Sequence, residues 1–121
     1  MNRSLQAEAN DLHANICAGL ADPKRIVILY ALAERPQTVN DLAAALDIPQ
    51  PSVSRHLKVL RERSMVLARR QGQSVEYRVS DERLIEALDL LRAVLRDNLA
   101  RRAGLLERLG GTTIGPQEGE R

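Results

Sequence analysis

A cluster of cationic side chains in the middle of this 121-residue sequence is its clearest chemical feature. Residues 49–79 contain seven Lys or Arg and two Glu, a net charge of +5, whereas the rest of the chain carries −3. The cationic residues are Arg55, Lys58, Arg61, Arg63, Arg69, Arg70 and Arg78. Such a local excess of positive charge indicates a polyanionic partner. A charged face that contacts only solvent is the alternative that charge alone leaves open.

Residue types that support catalysis or metal binding are scarce. The single cysteine, Cys17, can form no intramolecular disulfide and cannot anchor a zinc finger, so we expect a reducing, cytoplasmic location. No Ser/His/acid spacing, glycine-rich phosphate loop or metal-ligand cluster occurs, which predicts a protein that is not an enzyme and holds no cofactor or metal. Tyr30 and Tyr77 are the only aromatic residues, too few to stack single-stranded nucleic acid.

Composition predicts one globular domain and no membrane partner. The hydrophobic fraction of 44% and the charged fraction of 28% are ordinary for a globular protein, and the length suits about one domain. No apolar run approaches the ~20 residues that a bilayer span needs, and the first residues lack the apolar core of a signal peptide.

Capping signals and apolar spacing predict three helices before the cationic cluster. Asp22-Pro23 is an N-cap followed by a proline that suits the first turn, and it begins a buried helix through residues 26–33. Thr38 with Asp41 forms a shortened capping box for a helix over about residues 39–46. An earlier helix is predicted from apolar residues that fall on one face, namely Leu5, Ala9, Leu12 and Ile16.

The cationic cluster falls on a helix and a hairpin. After a turn at residues 47–50, Val53, Leu57 and Leu60 repeat at spacings of four and three and so predict a helix whose apolar face packs in the core. The opposite face carries Ser52, Ser54, Arg55 and Lys58. Residues 66–70 and 74–79 are predicted strands, joined by a tight turn in which Gly72 can supply a positive φ. The hairpin carries Arg69, Arg70, Gln73 and Arg78.

A long final helix is predicted to need a second copy of the chain. Ser80 is expected to be its N-cap, and the helix could reach Leu109, a length of about 40 Å at 1.5 Å per residue. A domain of this size cannot bury the whole apolar stripe, so we expect a dimer. The predicted interface residues are Leu5, Leu12, Ile16, Leu84, Leu88, Leu91 and Leu95. Residues 1–109 are then one domain, and residues 110–121 a flexible tail.

The order helix–helix–helix–turn–helix–hairpin–helix is that of a winged helix-turn-helix, a mainly α fold with a small β-hairpin. Three segments also resemble the ArsR/SmtB family of bacterial repressors. Residues 20–29 (LADPKRIVIL) are similar to the family's L-S-D-P-T-R-L-x-I-L segment, and residues 48–61 (IPQPSVSRHLKVLR) to its recognition helix, Q-S-x-V-S-R-H-L-x-x-L. Residues 71–77 (QGQSVEY) are similar to its wing.

The resemblance implies a cytoplasmic homodimer, joined through its first and last helices, that binds an inverted-repeat operator in double-stranded DNA and is released by an inducer. The family's base-contacting positions correspond to Gln50, Ser52, Ser54, Arg55 and His56, and Lys58 lies on the same outer face. Gln can pair with adenine and Arg with guanine in the major groove. Arg69, Arg70, Gln73 and Arg78 of the wing are expected to meet phosphates or the adjoining minor groove.

Two metal sites known in the family are not matched here. Residues 38–41 (TVND) stand where one site has Cys-Val-Cys, and the second pattern places Asp81, Arg83, Val94 and Asp97 at its ligand positions. Two carboxylates without imidazole or thiolate would not hold zinc or nickel selectively, so we expect no metal. Ser64 stands where the family usually has Gly. A left-handed turn there would be strained for Ser, so we expect the local backbone to differ from the family's.

Individual residues keep alternative interpretations. Cys17 is expected to be a small buried apolar residue, the alternative being a thiol that responds to oxidants or arsenite. His13 is expected to be an interface residue rather than a ligand, and His56 to contact DNA or make a structural hydrogen bond. The alternative function for the whole chain is a winged-helix module that binds another protein, which the cationic cluster disfavours.

Overall fold

A computed structural model describes residues 4–110 of the chain. The described elements, in chain order, are α1 (Leu5–Leu12), a π-helical turn (His13–Cys17), α2 (Ala18–Leu20), α3 (Pro23–Glu34), α4 (Val39–Leu46), α5 (Gln50–Glu62), β1 (Val66–Gln71), β2 (Ser74–Val79) and α6 (Arg83–Arg108). The first three are continuous, because the residues at their junctions keep right-handed helical torsions. They form the predicted first helix, so the predicted order and the mainly α fold with a hairpin are confirmed.

The chain divides into two compact units, Met1–Ile85 and Glu86–Arg121. The predicted division into a domain over residues 1–109 and a tail stays a prediction, since all of that tail but Gly110 lies outside the described residues. Across residues 4–110, no helix is both long enough and apolar enough to cross a membrane.

The predicted helix starts of α3 and α4 are confirmed by their caps. The carboxylate of Asp22 accepts a hydrogen bond from the amide of Lys24 at 2.8 Å, with Pro23 in the first turn of α3. At α4, the hydroxyl of Thr38 accepts from the amide of Asp41 and the Asp41 carboxylate accepts from the amide of Thr38, both at 3.1 Å. Each cap satisfies amides that have no partner inside the helix, which fixes where the chain turns into the helix.

The core of the first unit is built from the apolar faces of α3, α4 and α5 and from the base of the hairpin. Its buried apolar residues are Ile28, Leu29, Leu32, Leu42, Ile48, Val53, Leu57, Leu60, Met65, Val66 and Val79. The predicted core residues of α5 are therefore confirmed. Gly19 lets α2 approach this core, because a Cβ at that position would lie 2.5 Å from the Sδ of Met65.

The hairpin is antiparallel and is held to the segment that links α3 and α4. Val66 pairs with Val79 at the base, Gln71 pairs with Ser74 at the tip, and Gly72 adopts the predicted positive φ of 63°. Gln37 extends the sheet through two main-chain hydrogen bonds with Tyr77, of 3.0 and 2.7 Å. The hairpin, which is the wing, is thereby attached to the segment just before the N-terminus of α4.

The start of α6 differs from the prediction. Ser80 does not cap the helix; its hydroxyl donates to the carbonyl of Ser64 at 2.7 Å. The carboxylate of Asp81 instead accepts from the amide of Arg83 at 2.9 Å and pairs with the Arg83 guanidinium at 2.7 Å. These bonds hold the pKa of Asp81 down at about 2. The expected change of backbone at Ser64 is not found, because Ser64 has a φ of 59° and so keeps the left-handed turn. The hydroxyl of Ser80 donates to its carbonyl and holds the turn in place.

Most of the apolar side chains along α6 are exposed in the single chain. Leu91 is 60% exposed and Leu95 is 56% exposed, whereas Leu88, also predicted as an interface residue, is only 4% exposed. Further exposed apolar residues of the helix are Leu90, Val94, Leu99, Leu105 and Leu106. On the first helix, Leu5 and Leu12 are exposed, while Ile16 is half-buried. Leu84, at the start of α6, is also half-buried.

Candidate nucleic-acid interface

The face of α5 opposite the core is polar and accessible. Gln50, Ser54, Arg55 and Lys58 are exposed, and Ser52 is half-buried. This face comes from the helical period, because Val53, Leu57 and Leu60 turn inward and leave the intervening positions outside. Lys58 has an exposed ion pair with Glu62 at 3.9 Å, which is too long and too solvated to hold the ammonium in place.

Gln50, at the start of α5, is tied to α4. Its Nε2 donates to the Oδ1 of Asn40 at 2.5 Å. The sequence does not indicate this role of Asn40, since a contact between residues ten positions apart depends on how the two helices cross. The bond orients the amide of Gln50 while leaving its Oε1 and its second N–H for another partner.

His56 is turned toward the protein, unlike its predicted neighbours on the outer face. Its Nδ1 lies 3.3 Å from Nη1 of Arg25, and the ring is half-buried. Burial lowers the pKa of His56; the carboxylate of Asp22 opposes this effect and the Arg25 guanidinium reinforces it. Of the two roles proposed for His56, the geometry favours the structural hydrogen bond over a base contact.

Arg25 connects three helices. Its Nε donates to the carbonyl of Gly19 at 2.7 Å, and its Nη2 donates to the carbonyl of Ala18 at 3.2 Å. With the contact to His56, this one side chain joins α2, the start of α3 and the middle of α5. The sequence offers no local signal for this role, although Arg25 is part of the family-like segment at residues 20–29.

The wing does not bring its three arginines to one face. The pairing of Arg69 with Glu76 and of Leu67 with Arg78 puts Arg69 and Arg78 on the same side as Glu76. Arg70 alternates to the other side. All three are exposed, as is Gln73 at the tip, so Arg69 and Arg78 are accessible from one side of the hairpin and Arg70 from the other.

Cys17 is exposed in the single chain, which contradicts the expectation of a small buried apolar residue. It is the last residue of the π-helical turn and follows the half-buried Ile16. Within residues 4–110, no three His, Cys, Asp or Glu side chains come together in a way that could hold a metal ion. At the second family metal position, the carboxylate of Asp81 is engaged by Arg83, so these residues do not fit a metal site.

A core of three helices, the last of which has a polar outer face, and an adjacent hairpin define a winged helix-turn-helix protein. Residues 22–66 match the family described as bacterial regulatory protein, arsR family. The chain is 40% identical over 83 residues to the biofilm growth-associated repressor of Agrobacterium fabrum, covering 66% of this chain and 71% of that protein. The chain belongs to the ArsR family.

Two further similarities support this membership. The HTH-type transcriptional repressor SmtB of Mycobacterium tuberculosis is 40% identical over 77 residues, which are 64% of this chain and 57% of that protein. The alignment thus spans little more than half of that relative. The homodimeric winged helix-turn-helix DNA-binding domain of a possible ArsR-family regulator from Mycobacterium bovis has a TM-score of 0.71 and 27% identity, over 83% of this chain and 93% of that one.

Proposed function

We propose that this protein is a dimeric transcriptional repressor that binds specific sequences in double-stranded DNA and is released by an inducer. The observation that carries the proposal is the exposed polar and cationic face of α5, which stands clear of its own core. Family membership and the repressor names of two relatives support it. A protein that acts on chromosomal DNA in a bacterium works in the cytoplasm, which is where we place it.

In this proposal α5 enters the major groove, which is about 12 Å wide and accepts one helix. Gln50 and Arg55 read base edges, while Ser52, Ser54 and Lys58 contact bases or phosphates near them. Arg69, Arg70, Gln73 and Arg78 of the wing bind phosphates or the adjoining minor groove, from both faces of the hairpin. His56 lies on the protein side of α5 and holds the helix in place through its contact with Arg25.

A homodimer supplies the second recognition helix. The exposed leucines of α6 and of the first helix are the surface that a second copy would cover, and the Mycobacterium bovis domain is described as homodimeric. A two-fold dimer presents its two α5 helices to an inverted repeat, with half-sites about one helical turn, or about 34 Å, apart.

The test is selection of bound fragments from genomic DNA, followed by titration of the full chain against a selected duplex and a random one. We expect tight, salt-sensitive binding to the selected duplex and weaker binding to the random one. Equal affinity for both would contradict sequence-specific recognition. Failure to bind either duplex at low salt would favour the alternative, a winged-helix module for another protein.

The exposed thiol of Cys17 supports a second candidate, release triggered by an oxidant or by arsenite. Family members that sense in this way use a second cysteine, which this chain lacks, so we propose that Cys17 is not the trigger. Titration of the DNA complex with hydrogen peroxide or arsenite, using wild type and Cys17→Ser, tests whether the thiol triggers release. Release of wild type but not of Cys17→Ser would make the thiol the sensor.

A further inference from the structure

A cleft of about 320 Å³ lies between α3 and α4, away from the outer face of α5. Its walls are largely apolar, formed by Val27, Ala31, Ala45 and Leu46. The volume is at the lower end of the range for small-molecule sites, which are mostly apolar with a few polar groups that orient the ligand. Gln37 supplies such a group.

The side-chain amide of Gln37 is buried, and its oxygen lacks a hydrogen-bond donor. The residue is 2% exposed, and its Nε2 donates to the carbonyl of Ala31 at 2.8 Å. Its Oε1 is buried and accepts no hydrogen bond within residues 4–110. The amide cannot be reversed, because the carbonyl of Ala31 only accepts and would then face another oxygen. A buried acceptor that receives no hydrogen bond destabilises the fold. Binding of a molecule that donates a hydrogen bond to this oxygen is therefore favoured.

We propose that this cleft binds a small neutral organic molecule whose N–H or O–H group donates to Oε1 of Gln37, once the side chains that cover this buried atom move aside. The apolar walls take the body of the ligand. Glu34 and Arg35, which also line the cleft, carry opposite charges, so the lining has no net charge that would favour an ionic ligand. Neither the family's metal positions nor the DNA face contributes to it.

The same residue connects the cleft to the wing. The main chain of Gln37 exchanges two hydrogen bonds with Tyr77 of β2, so a ligand that moves or stiffens Gln37 acts directly on the hairpin. This makes the cleft a site for an inducer or co-repressor. That regulatory role rests on the proposed function, whereas binding to the cleft does not.

The experiment is an NMR titration of the 15N-labelled full chain, without DNA, using phenol and anisole as probes. The two molecules share the ring and nearly the same size, but only phenol can donate. We expect saturable shifts of the Gln37 side-chain NH₂ and of the Tyr77 amide with phenol, and roughly tenfold weaker binding of anisole. Absence of saturable shifts, or equal affinity for both probes, would overturn the proposal.

A pair of variants on α4 provides the matched control. Ala45→Phe fills the cleft from an exposed position and should abolish the phenol shifts, whereas Ala44→Phe, exposed and outside the cleft, should leave them unchanged. Phenol binding that survives Ala45→Phe, or a crystal structure at saturating phenol with only water at Oε1 of Gln37, would refute the site. Because no DNA is present, these results stand apart from the outcome of the DNA titrations.

Discussion

Nη1 of Arg25 lies 3.3 Å from Nδ1 of His56, so an arginine of α3 fixes the middle of the proposed recognition helix. A guanidinium can only donate, which makes Nδ1 the acceptor and puts the proton of the neutral ring on Nε2. Protonation of Nδ1 would remove this bond and set two cations side by side. The orientation of α5 is therefore coupled to the charge of one histidine.

This relationship predicts that stability depends on pH. Burial holds the pKa of His56 below its ordinary value of 6.5, so the folded chain binds this proton less tightly than the unfolded chain does. The free energy of unfolding should therefore be highest above pH 6.5 and fall as the pH drops below it. Urea unfolding between about pH 5 and about pH 7.5 measures this slope, which His56→Gln should reduce.

Asp22→Asn is the matched variant for that prediction. Asn still caps α3, but it removes the carboxylate that raises the pKa of His56, so the pKa measured by NMR should fall further. A stability profile that does not change between wild type and His56→Gln would show that His56 does not carry the effect.

Arg55 and Arg69 should differ in how their loss affects DNA binding. Arg55→Ala should weaken binding to a selected operator by roughly 1–3 kcal/mol and relax its sequence preference, because a bidentate contact to guanine is lost. Arg69→Ala should weaken selected and random duplexes about equally and reduce the slope of log K against log salt by about 1. Equal losses on both duplexes for Arg55→Ala would contradict its assignment to base contact.

Ser64→Gly should stabilise the fold. Ser64 has a φ of 59°, a conformation that costs an L-residue with a side chain more than it costs glycine, so we expect a gain of up to about 1 kcal/mol in the free energy of unfolding. The control is Ser54→Gly in the middle of α5, which should lose about 0.5 kcal/mol because glycine disfavours helix. Denaturant unfolding distinguishes them, and a loss for Ser64→Gly would contradict this explanation.

The exposed leucines of α6 should control dimerisation. Leu91→Glu places a charge in the apolar stripe and should shift the protein from dimer to monomer in sedimentation velocity. Ala100→Glu introduces the same residue on the opposite side of the helix, at an exposed position, and should leave the dimer intact. If the two variants had the same oligomeric state, the apolar stripe of α6 would not be part of the dimer interface.

Local signals predicted most of the fold. The capping pairs at Asp22 and Thr38, the four–three spacing of Val53, Leu57 and Leu60, and the turn at Gly72 act within a few residues, so they can be identified without knowledge of packing. The prediction that Ser80 caps α6 is wrong, because the adjacent Ser80 and Asp81 are both good capping residues and the sequence does not distinguish them. In the structure Asp81 caps the helix by accepting from the amide of Arg83, and the Ser80 hydroxyl donates to the carbonyl of Ser64.

The candidate site was predicted less completely than the fold. Gln50, Ser54, Arg55 and Lys58 are exposed as expected, but the inward turn of His56 depends on Arg25, which is 31 positions away. The roles of Asn40 and Gln37 cannot be predicted from the sequence either, because their contacts form only when α4, α5 and the hairpin pack together. Sequence periodicity identifies the face of a helix, but not which polar groups meet across an interface.

The central claim, that two α5 helices of a symmetric pair read duplex DNA, is tested most directly by hydroxyl-radical footprinting on a genomically selected fragment. Two protected half-sites related by inverted symmetry, about 34 Å apart, are predicted, and Arg55→Ala should weaken both together. A single unpaired footprint, or protection that does not depend on the sequence of the fragment, would contradict it.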